Sequence, residues 1–245
     1  GGLLVDARNA LNEGNRIKML WTVRHLWPSG ARFAFNCYSH WSTLILRGKD
    51  GDSTSLLQSK EGVTQGDPFS MVLYGLAILP LSKYLFEYQK ELLQIWYADD
   101  AEAAGKFENI KIYFNKLCEI GPRYGYFPEP SKSILICNPK NSQSAAEHFK
   151  DFGFEITSGA RYLGGYIGTE DKKSEWVKQK VLEWKEGIEA LSSIAKSSPQ
   201  CAFVGMRMSL QSEWTHLQRV VKDTGATFQE LETTLHSSFI PSLFD

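Results

Sequence analysis

The stretch that decides the fold reads Gln94-Ile95-Trp96-Tyr97-Ala98-Asp99-Asp100 and continues in small residues from Ala101 to Gly105. Its first four residues include the β-branched and aromatic types that strands favour. Asp99 and Asp100 stand where this run breaks, and acidic residues are typical of turns. The stretch therefore predicts a tight hairpin that carries two carboxylates at its tip.

A third carboxylate, Asp6, ends the short apolar run Leu3-Leu4-Val5, 93 residues before Asp99. If the two segments are neighbouring strands of one sheet, all three carboxylates meet at one edge. Carboxylates are the ligands that hard divalent cations prefer, and two such ions roughly 4 Å apart can promote phosphoryl transfer. An Asp-Asp pair alone is ordinarily a solvated turn, so the metal interpretation depends on the rest of the chain.

Helical and strand patterns both occur over most of the chain, which predicts a fold that contains helices and strands. Helices are predicted over residues 17–27, ended by Pro28-Ser29-Gly30, and over residues 69–88 and 109–120. Strands are predicted over residues 32–38, 42–47, 55–59 and 133–137, and a bent or bulged strand over residues 161–167. The turn Lys49-Asp50-Gly51-Asp52 joins the second and third of these strands as a hairpin.

Beyond residue 174 the apolar residues, such as Val177, Val181 and Trp184, recur at helical spacing, and Ser198-Pro199 starts a second helix that ends near Gly225. These stripes are typical of a packed core and predict an antiparallel helix pair. Residues 172–222 contain nine Lys or Arg against five Glu, whereas residues 223–245 contain four acids and no Lys or Arg. The basic helices are therefore the better candidate for phosphate contact.

Composition excludes several classes of protein. With 245 residues, 42% of them hydrophobic, the chain is long and apolar enough for a substantial core. Its four cysteines stand far apart without zinc-ligand spacing, which favours a reduced, intracellular compartment. The longest apolar run, residues 71–81, is too short to cross a bilayer. We expect a nuclear or cytoplasmic protein that is neither secreted nor embedded in a membrane.

Five segments resemble, in order, the motifs of the reverse transcriptase family of retroelement type. They are Leu4-Val5-Asp6-Ala7-Arg8-Asn9-Ala10, Glu61-Gly62-Val63-Thr64-Gln65-Gly66-Asp67-Pro68-Phe69-Ser70, Tyr97-Ala98-Asp99-Asp100, Gly125 with Ser131-Lys132-Ser133, and Tyr162-Leu163-Gly164-Gly165. The resemblance implies an α+β fold, with a polymerase palm over residues 1–168 in which helices back an antiparallel sheet and from which the fingers are mostly missing. It also implies a helical, thumb-like part over residues 169–225, and residues 226–245 are left as an acidic tail.

The resemblance also implies a role for each matched residue. Asp6 and Asp99 would bind two Mg²⁺ ions, for which Mn²⁺ could substitute, with Asp100 as a supporting ligand. Lys132 would approach the leaving pyrophosphate, and Asp67 is better interpreted as a helix N-cap than as a catalyst. The incoming deoxynucleoside triphosphate and the templating base would be lined by Ala7, Leu11, Gln65 and Gly66. The primer end would be held by Tyr162, Leu163, Gly164 and Gly165. The implied partners are an RNA or DNA template with its primer.

Two departures from the family pattern affect these expectations. Leu11 stands where the family usually has an aromatic ring that excludes a ribose 2′-hydroxyl, so weaker discrimination against ribonucleotides is expected. The family's fingers precede the first aspartate motif, and this sequence begins five residues before Asp6. We therefore expect a piece of a longer polyprotein that shows no more than trace primer extension by itself.

Two alternatives remain open at the level of sequence. A viral RNA-dependent RNA polymerase also carries paired aspartates, although glycine usually precedes them and Ala98 does so here. A decayed or domesticated palm that only binds nucleic acid is the second alternative, against which the presence of Asp6, Asp99 and Asp100 argues.

Overall fold

The structure of the chain, a computed structural model, describes residues 1–49, 51 and 53–244. It divides into two compact units, Gly1–Ile156 and Thr157–Asp245, which we call the sheet unit and the helical unit. The sequence placed the end of the first domain at residue 168, twelve positions later. The difference arises because the hairpin that precedes residue 168 contacts the long helix after it.

The described residues of the sheet unit form a five-stranded sheet and a separate two-stranded hairpin. The strands are β1 (Gly2–Val5), β2 (Ser42–Arg47), β3 (Thr54–Ser59), β4 (Leu93–Tyr97), β5 (Asp100–Ala104), β6 (Ile134–Ile136) and β7 (Glu155–Thr157). The sheet has the order β4-β5-β1-β6-β7, in which β1 runs antiparallel to both β5 and β6. The predicted hairpin β4–β5 and its neighbour β1 are therefore confirmed as adjacent strands.

The predicted β2–β3 hairpin is also present, with Ser42 paired to Ser59 and Arg47 to Thr54. Both strands are solvent-exposed along almost their whole length. Of the turn predicted between them, Asp50 and Asp52 lie outside the described residues.

Helices cover the sheet and supply most of the core. They are α1 (Ala10–Glu13), α2 (Arg16–Leu26), α3 (Pro28–Tyr38), α4 (Ser70–Tyr88), α5 (Phe107–Ile120) and α6 (Ser142–His148). The largest fully buried side chains of this core are Tyr74, Tyr113, Tyr126, Phe114 and Phe149. Apolar burial of this kind is the main source of stability for such a unit.

The prediction of a strand over residues 32–38 is wrong, because this segment belongs to helix α3. Pro28 occupies the first turn, where its missing N–H leaves no hydrogen bond unmade. Gly30, Ala34 and Tyr38, spaced by four, form the buried face. The aromatic residues that suggested a strand include Phe35, which is exposed on the opposite face.

The helical unit begins with a two-stranded hairpin and continues as helices. Its elements are β8 (Gly159–Tyr162), β9 (Gly165–Gly168), α7 (Glu170–Ala195), α8 (Pro199–Gly205), α9 (Gln211–Val220), α10 (Gln229–Thr234) and α11 (Ile240–Ser242). A π-helical turn, Met206–Leu210, links α8 to α9. The predicted stripe on α7 is confirmed, since Val177, Val181 and Trp184 are buried in one core.

Two predictions for this unit are corrected. Residues 161–167 form two strands of a hairpin rather than one bulged strand, because Leu163 and Gly164 between them both take positive φ. Residues 226–242 are helical, and Phe228, Leu231 and Phe239 are buried in the same core as α7. Their spacing brings them onto one helical face, so this segment is a packed part of the unit and not a tail.

All four cysteines are free thiols. Within the described residues, no helix combines the length and the apolar character that a membrane crossing requires.

Candidate active site

The register of β1 against β5 brings the three aspartates together. Val5 pairs with Ala101, so Asp6, the next residue, lies opposite Asp100 across two antiparallel strands. Facing residues in such a pair have their Cα atoms roughly 5 Å apart. Tyr97 pairs with Asp100, which leaves Ala98 and Asp99 as the two-residue turn. The carboxylate that closes the first strand and those at the hairpin tip therefore share one edge of the sheet.

The turn itself has an unusual backbone. Ala98 takes φ 55°, in the left-handed region that favours glycine. A hairpin turn of two residues needs positive φ at its first central position if it is to match the twist of its strands. Strain of this kind is retained where the surrounding structure enforces it, and functional sites are where it is often found.

The electrostatic environment of Asp100 includes both of the other carboxylates. Burial raises the pKa of Asp100 above its ordinary value, and repulsion from Asp99 and from Asp6 raises it further. None of these three side chains belongs to an ion pair with another described residue. The site is thus a concentration of negative charge that a cation would relieve.

The chemistry of the donor set fits a hard divalent cation, since three carboxylates at one edge offer only oxygen ligands. Their mutual repulsion also fits, because a bound cation removes it. Within the described part of the chain, however, no three His, Cys, Asp or Glu side chains already stand in the arrangement of a ligand set. The residues that would hold such an ion are Asp6, Asp99 and Asp100.

Lys132 is placed beside this cluster. The N–H of Glu129 donates to the carbonyl of Asp6 at 2.8 Å, which fixes the segment that carries the lysine. The Lys132 ammonium donates to the Glu129 carboxylate at 2.6 Å. This hydrogen bond is the main reason that the pKa of Lys132 is raised, with a smaller effect from Asp6. The side chain is therefore a permanent cation near neutral pH.

The loop with Gln65 and Gly66 is held from both ends by one tyrosine. The Tyr38 hydroxyl donates to the Asp67 carboxylate at 3.0 Å and accepts from the Thr64 N–H at 3.3 Å. The side chain of Gln65 is exposed, and Gly66 takes φ 90° with open space where a Cβ would stand. Position 66 favours glycine because of its positive φ. A side chain there would not collide with another residue of this chain.

The prediction of Asp67 as the N-cap of α4 is wrong, because the N-cap is Phe69, two residues later, and it makes no side-chain cap hydrogen bond. Asp67 instead binds the residues that lead into the helix. Its carboxylate accepts from the Phe69 N–H at 2.9 Å and its carbonyl from the Ser70 N–H at 3.0 Å, and Ser70 is the first residue of α4. These bonds satisfy amide groups that a helix start leaves without an intrahelical partner. The residue therefore has a structural function in ordering the end of the loop.

Arg16 is a residue that sequence reasoning missed. It is only 6% exposed, and its guanidinium donates to the Gly62 carbonyl at 2.8 Å and to the Ser59 carbonyl at 2.9 Å. Burial lowers its pKa, an effect that nearby Glu61 opposes. A buried arginine that donates to backbone carbonyls fixes that backbone strongly. No local pattern marks it, because its partners lie more than forty residues away.

Two glycines bring the other motif segments onto helix α1. A Cβ on Gly62 would lie 2.3 Å from the Asn12 backbone, and a Cβ on Gly125 would lie 1.8 Å from the Glu13 carbonyl. Leu11, on the same short helix, is half-buried against the core, and its carbonyl accepts from the Val63 N–H at 2.8 Å. Glycines that in the sequence only suggest a loop are thus positions where two backbone segments lie in close contact.

Ala7 is buried and forms an isolated bridge with Pro128. The structure therefore places Ala7, Leu11, Lys132 and the Gln65–Gly66 loop in the unit that holds the aspartates. Residues 162–165 belong to the helical unit, where Leu163 and Gly164 form the turn of the β8–β9 hairpin. A Cβ on Gly164 would lie 2.5 Å from the His216 imidazole, so this glycine is needed for close packing as well as for its φ.

No protein-family model and no curated protein matches the sequence. In fold, the chain is similar to telomerase from Candida tropicalis in complex with a TWJ fragment of telomeric RNA. That similarity has a TM-score of 0.55 at 14% identity and covers 96% of this chain and 39% of that one. Telomerase from Candida albicans, also in complex with a TWJ fragment, gives a TM-score of 0.50 at 14% identity over 98% of this chain and 41% of that one.

Apo telomerase from Candida tropicalis gives a TM-score of 0.50 at 14% identity and covers 68% of this chain. The chain spans between 31% and 41% of the length of these three telomerase chains. At this identity the comparison concerns fold alone. Because telomerase is a reverse transcriptase, the chain has a mixed α and β, reverse-transcriptase-like fold.

Proposed function

We propose that this chain supplies the catalytic centre of a template-directed nucleotidyltransferase that copies RNA into DNA, of the retroelement reverse transcriptase type. The observation that carries the proposal is the placement of Asp6 opposite Asp100, with Asp99 in the adjoining turn. The order of the five motif segments supports the retroelement type. The fold similarity supports the polymerase class at a coarse level.

In this proposal Asp6 and Asp99 hold two Mg²⁺ ions, or Mn²⁺ in their place, and Asp100 supports them. The bound ions supply charge neutralisation and activation of the attacking oxygen, as in other two-metal sites. The protein's own contribution is to bring the carboxylates together on adjacent strands, so that little reorganisation is needed during the reaction.

Lys132 has a defined part in the same scheme. Its ammonium is paired with Glu129 on the exposed edge of the site, so it can turn from that carboxylate to a phosphate oxygen without leaving the protein surface. The protonated ammonium suits stabilisation of the leaving pyrophosphate by charge. Once turned away from Glu129, it also loses the hydrogen bond that is the main cause of its raised pKa, which favours proton donation.

The remaining matched residues would position the substrates. Ala7, Leu11, Gln65 and Gly66 line the deoxynucleoside triphosphate and the templating base, and residues 162–165 hold the primer end. The sheet unit corresponds in this scheme to the palm and the helices of the second unit to the thumb. Two of the structural neighbours were solved in complex with a TWJ fragment of telomeric RNA, which supports a nucleic acid as partner.

Primer extension on RNA and DNA templates tests the proposal, with a parent chain that includes fingers. Asp99→Asn should lower synthesis more than about 100-fold, because it removes charge where the transition state needs it. Asp151→Asn, an exposed aspartate of the same unit, is the matched control and should retain full activity. Equal activity of the Asp99→Asn variant and the wild-type chain would contradict the proposal.

A second candidate function is a relic that binds nucleic acid without catalysis. The observation that favours it is that no three potential ligands among the described residues stand ready to hold an ion. A titration with Mn²⁺ separates the two, because a relic needs no metal pocket. Incorporation of ribonucleotides alone, with no deoxynucleotide incorporation, would instead identify an RNA-dependent RNA polymerase.

Leu11 provides a finer test of the nucleotide site. It is only half-buried, so a phenylalanine has room to extend from α1. Leu11→Phe should raise the preference for deoxynucleotides over ribonucleotides, measured as a ratio of kcat/KM values. Because one additional steric contact commonly changes discrimination about 10-fold or more, equal ratios for the two proteins would contradict the assignment.

A further inference from the structure

The buried side chain of Tyr126 contacts the turn formed by Ala98 and Asp99. Its side chain is 0% exposed, and its hydroxyl donates to the backbone carbonyl of Asp99 at 3.1 Å. The two residues lie 27 positions apart in the chain, so this contact exists only in the folded unit. The hydrogen bond acts on the turn that carries the carboxylate and leaves the carboxylate itself free.

The tyrosine ring has little freedom to move. It packs against the Trp96 ring, with 5.4 Å between the ring centroids, and Trp96 belongs to the strand that leads into the turn. The Tyr126 N–H donates to the Gly121 carbonyl at 3.1 Å. A Cβ on Gly121 would lie 2.5 Å from the Tyr126 carbonyl, so the backbone is closely packed there too. A donor held in this way restricts the position of its acceptor.

The segment that follows Tyr126 holds the other aspartate-bearing strand. The Phe127 carbonyl accepts from the Arg8 N–H at 2.9 Å, and the Glu129 N–H donates to the Asp6 carbonyl at 2.8 Å. One short segment, residues 126–129, therefore contacts the backbone of both Asp99 and Asp6. The separation of two metal-binding carboxylates depends on the relative position of their backbones, and this segment connects the two.

Tyr126 differs from the other buried tyrosines of this core because its hydroxyl has a hydrogen-bond partner. The hydroxyls of Tyr74 and Tyr113 are also buried, yet they have no hydrogen-bond partner among the described residues. A tyrosine can therefore be buried in this core without a hydrogen bond to the turn.

We propose that Tyr126 is a positioning residue for the metal site, and that its hydroxyl sets the place of Asp99 relative to Asp6. The inference rests on the proposed function, because it requires that the aspartates bind divalent cations. Residues that orient metal ligands commonly contribute about 10-fold or more to metal affinity.

The test is direct binding of Mn²⁺ to the 245-residue chain, followed by electron paramagnetic resonance. Tyr126→Phe retains the ring and removes the donor, and we expect it to bind Mn²⁺ about 10-fold more weakly than the wild-type chain. Tyr113→Phe is the matched control, since it removes a buried hydroxyl that has no partner among the described residues. It should bind Mn²⁺ as the wild-type chain does. Thermal melting of each variant in chelator confirms that the fold is retained.

Asp99→Asn separates the failure of this inference from the failure of the proposed function. If Asp99→Asn and the wild-type chain bind Mn²⁺ equally, or neither binds it, the proposed function fails and this inference fails with it. If Asp99→Asn loses binding while Tyr126→Phe retains wild-type affinity, only the positioning role is overturned. Equal weakening by Tyr126→Phe and Tyr113→Phe would also overturn it, because the effect would then come from general packing.

Discussion

Helix α7 of the helical unit and the three aspartates of the sheet unit differ in how their acidic side chains are partnered. On α7 of the helical unit, lysines and glutamates three positions apart form pairs: Lys173 with Glu170, Lys172 with Glu175, and Lys180 with Glu183. In the sheet unit Asp6, Asp99 and Asp100 converge without an ion pair to any described residue. The surface pairs are a local consequence of helix geometry. The raised pKa of Asp100 means that its charged form costs folding energy near neutral pH, and costs of this kind are common at functional sites.

The largest effect is expected in the core of the helical unit. Trp184 is 3% exposed, stacks edge-on against Trp214 and donates to Glu213 at 2.8 Å. Trp184→Ala should lower the free energy of unfolding by about 3–5 kcal/mol, because it leaves a cavity and an unpaired acceptor. Phe203→Ala, on an exposed face of the same unit, should cost less than about 1 kcal/mol.

Urea denaturation measures both effects, and amide hydrogen exchange should place the loss of protection from Trp184→Ala within residues 157–244. Equal losses for the two variants would show that the helical unit depends little on its core for stability.

The second-largest change in the free energy of unfolding is expected in the sheet unit. Gly125 takes φ 76° and a Cβ there would lie 1.8 Å from the Glu13 carbonyl, whereas Gly153 takes φ 74° with open space around it. Gly125→Ala should cost about 3 kcal/mol, from backbone collision as well as from conformation. Gly153→Ala carries only the conformational cost, about 1 kcal/mol. A difference of zero between the two, measured by chemical denaturation, would contradict the close contact with α1.

A smaller effect of opposite sign is expected from Asp100→Asn. The folded pKa of Asp100 is raised above its ordinary value of 3.8, so the stability that its protonated form contributes is lost as pH rises through the folded pKa. At pH 7 in chelator, Asp100→Asn should therefore stabilise the chain by up to about 1 kcal/mol, a modest value because the group is partly exposed.

This gain should vanish when the pH falls below the ordinary value of 3.8 for an aspartate. Thermal melting across pH measures it. A lower melting temperature for Asp100→Asn at pH 7 would show that the carboxylates do not repel one another.

The smallest effect is expected for the surface pairs. Lys180→Gln removes the ion pair with Glu183 on α7, in which both side chains are part-exposed. Its cost should stay within about 0.5 kcal/mol and decrease in high salt, since exposed pairs are screened. Urea denaturation at low and high ionic strength measures it. A cost as large as that of Trp184→Ala would mean that charge pairing, rather than the core, holds the helical unit together.

Much of the architecture was predictable from local pattern. Residues 94–105 predicted the β4–β5 hairpin, and the apolar stripe at Val177, Val181 and Trp184 predicted the core face of α7. The prediction failed at residues 32–38, because exposed aromatics on a helix resemble those of a strand. It also failed at the C-terminal segment, because its acids and its lack of Lys and Arg suggested a tail, although Phe228, Leu231 and Phe239 recur at helical spacing.

The sequence by itself determined the identity of the carboxylates, the turn that carries two of them and the order of the motif segments. These are local properties, since a turn or an amphipathic helix is specified by residues within a few positions of one another. The tertiary structure alone decided that Asp6 lies opposite Asp100, that Tyr38 and Arg16 secure the Gln65–Gly66 loop, and that Tyr126 holds the Asp99 carbonyl. Each of these contacts joins residues more than twenty positions apart, and strand register and buried hydrogen bonds at such separations are set by packing of the whole core.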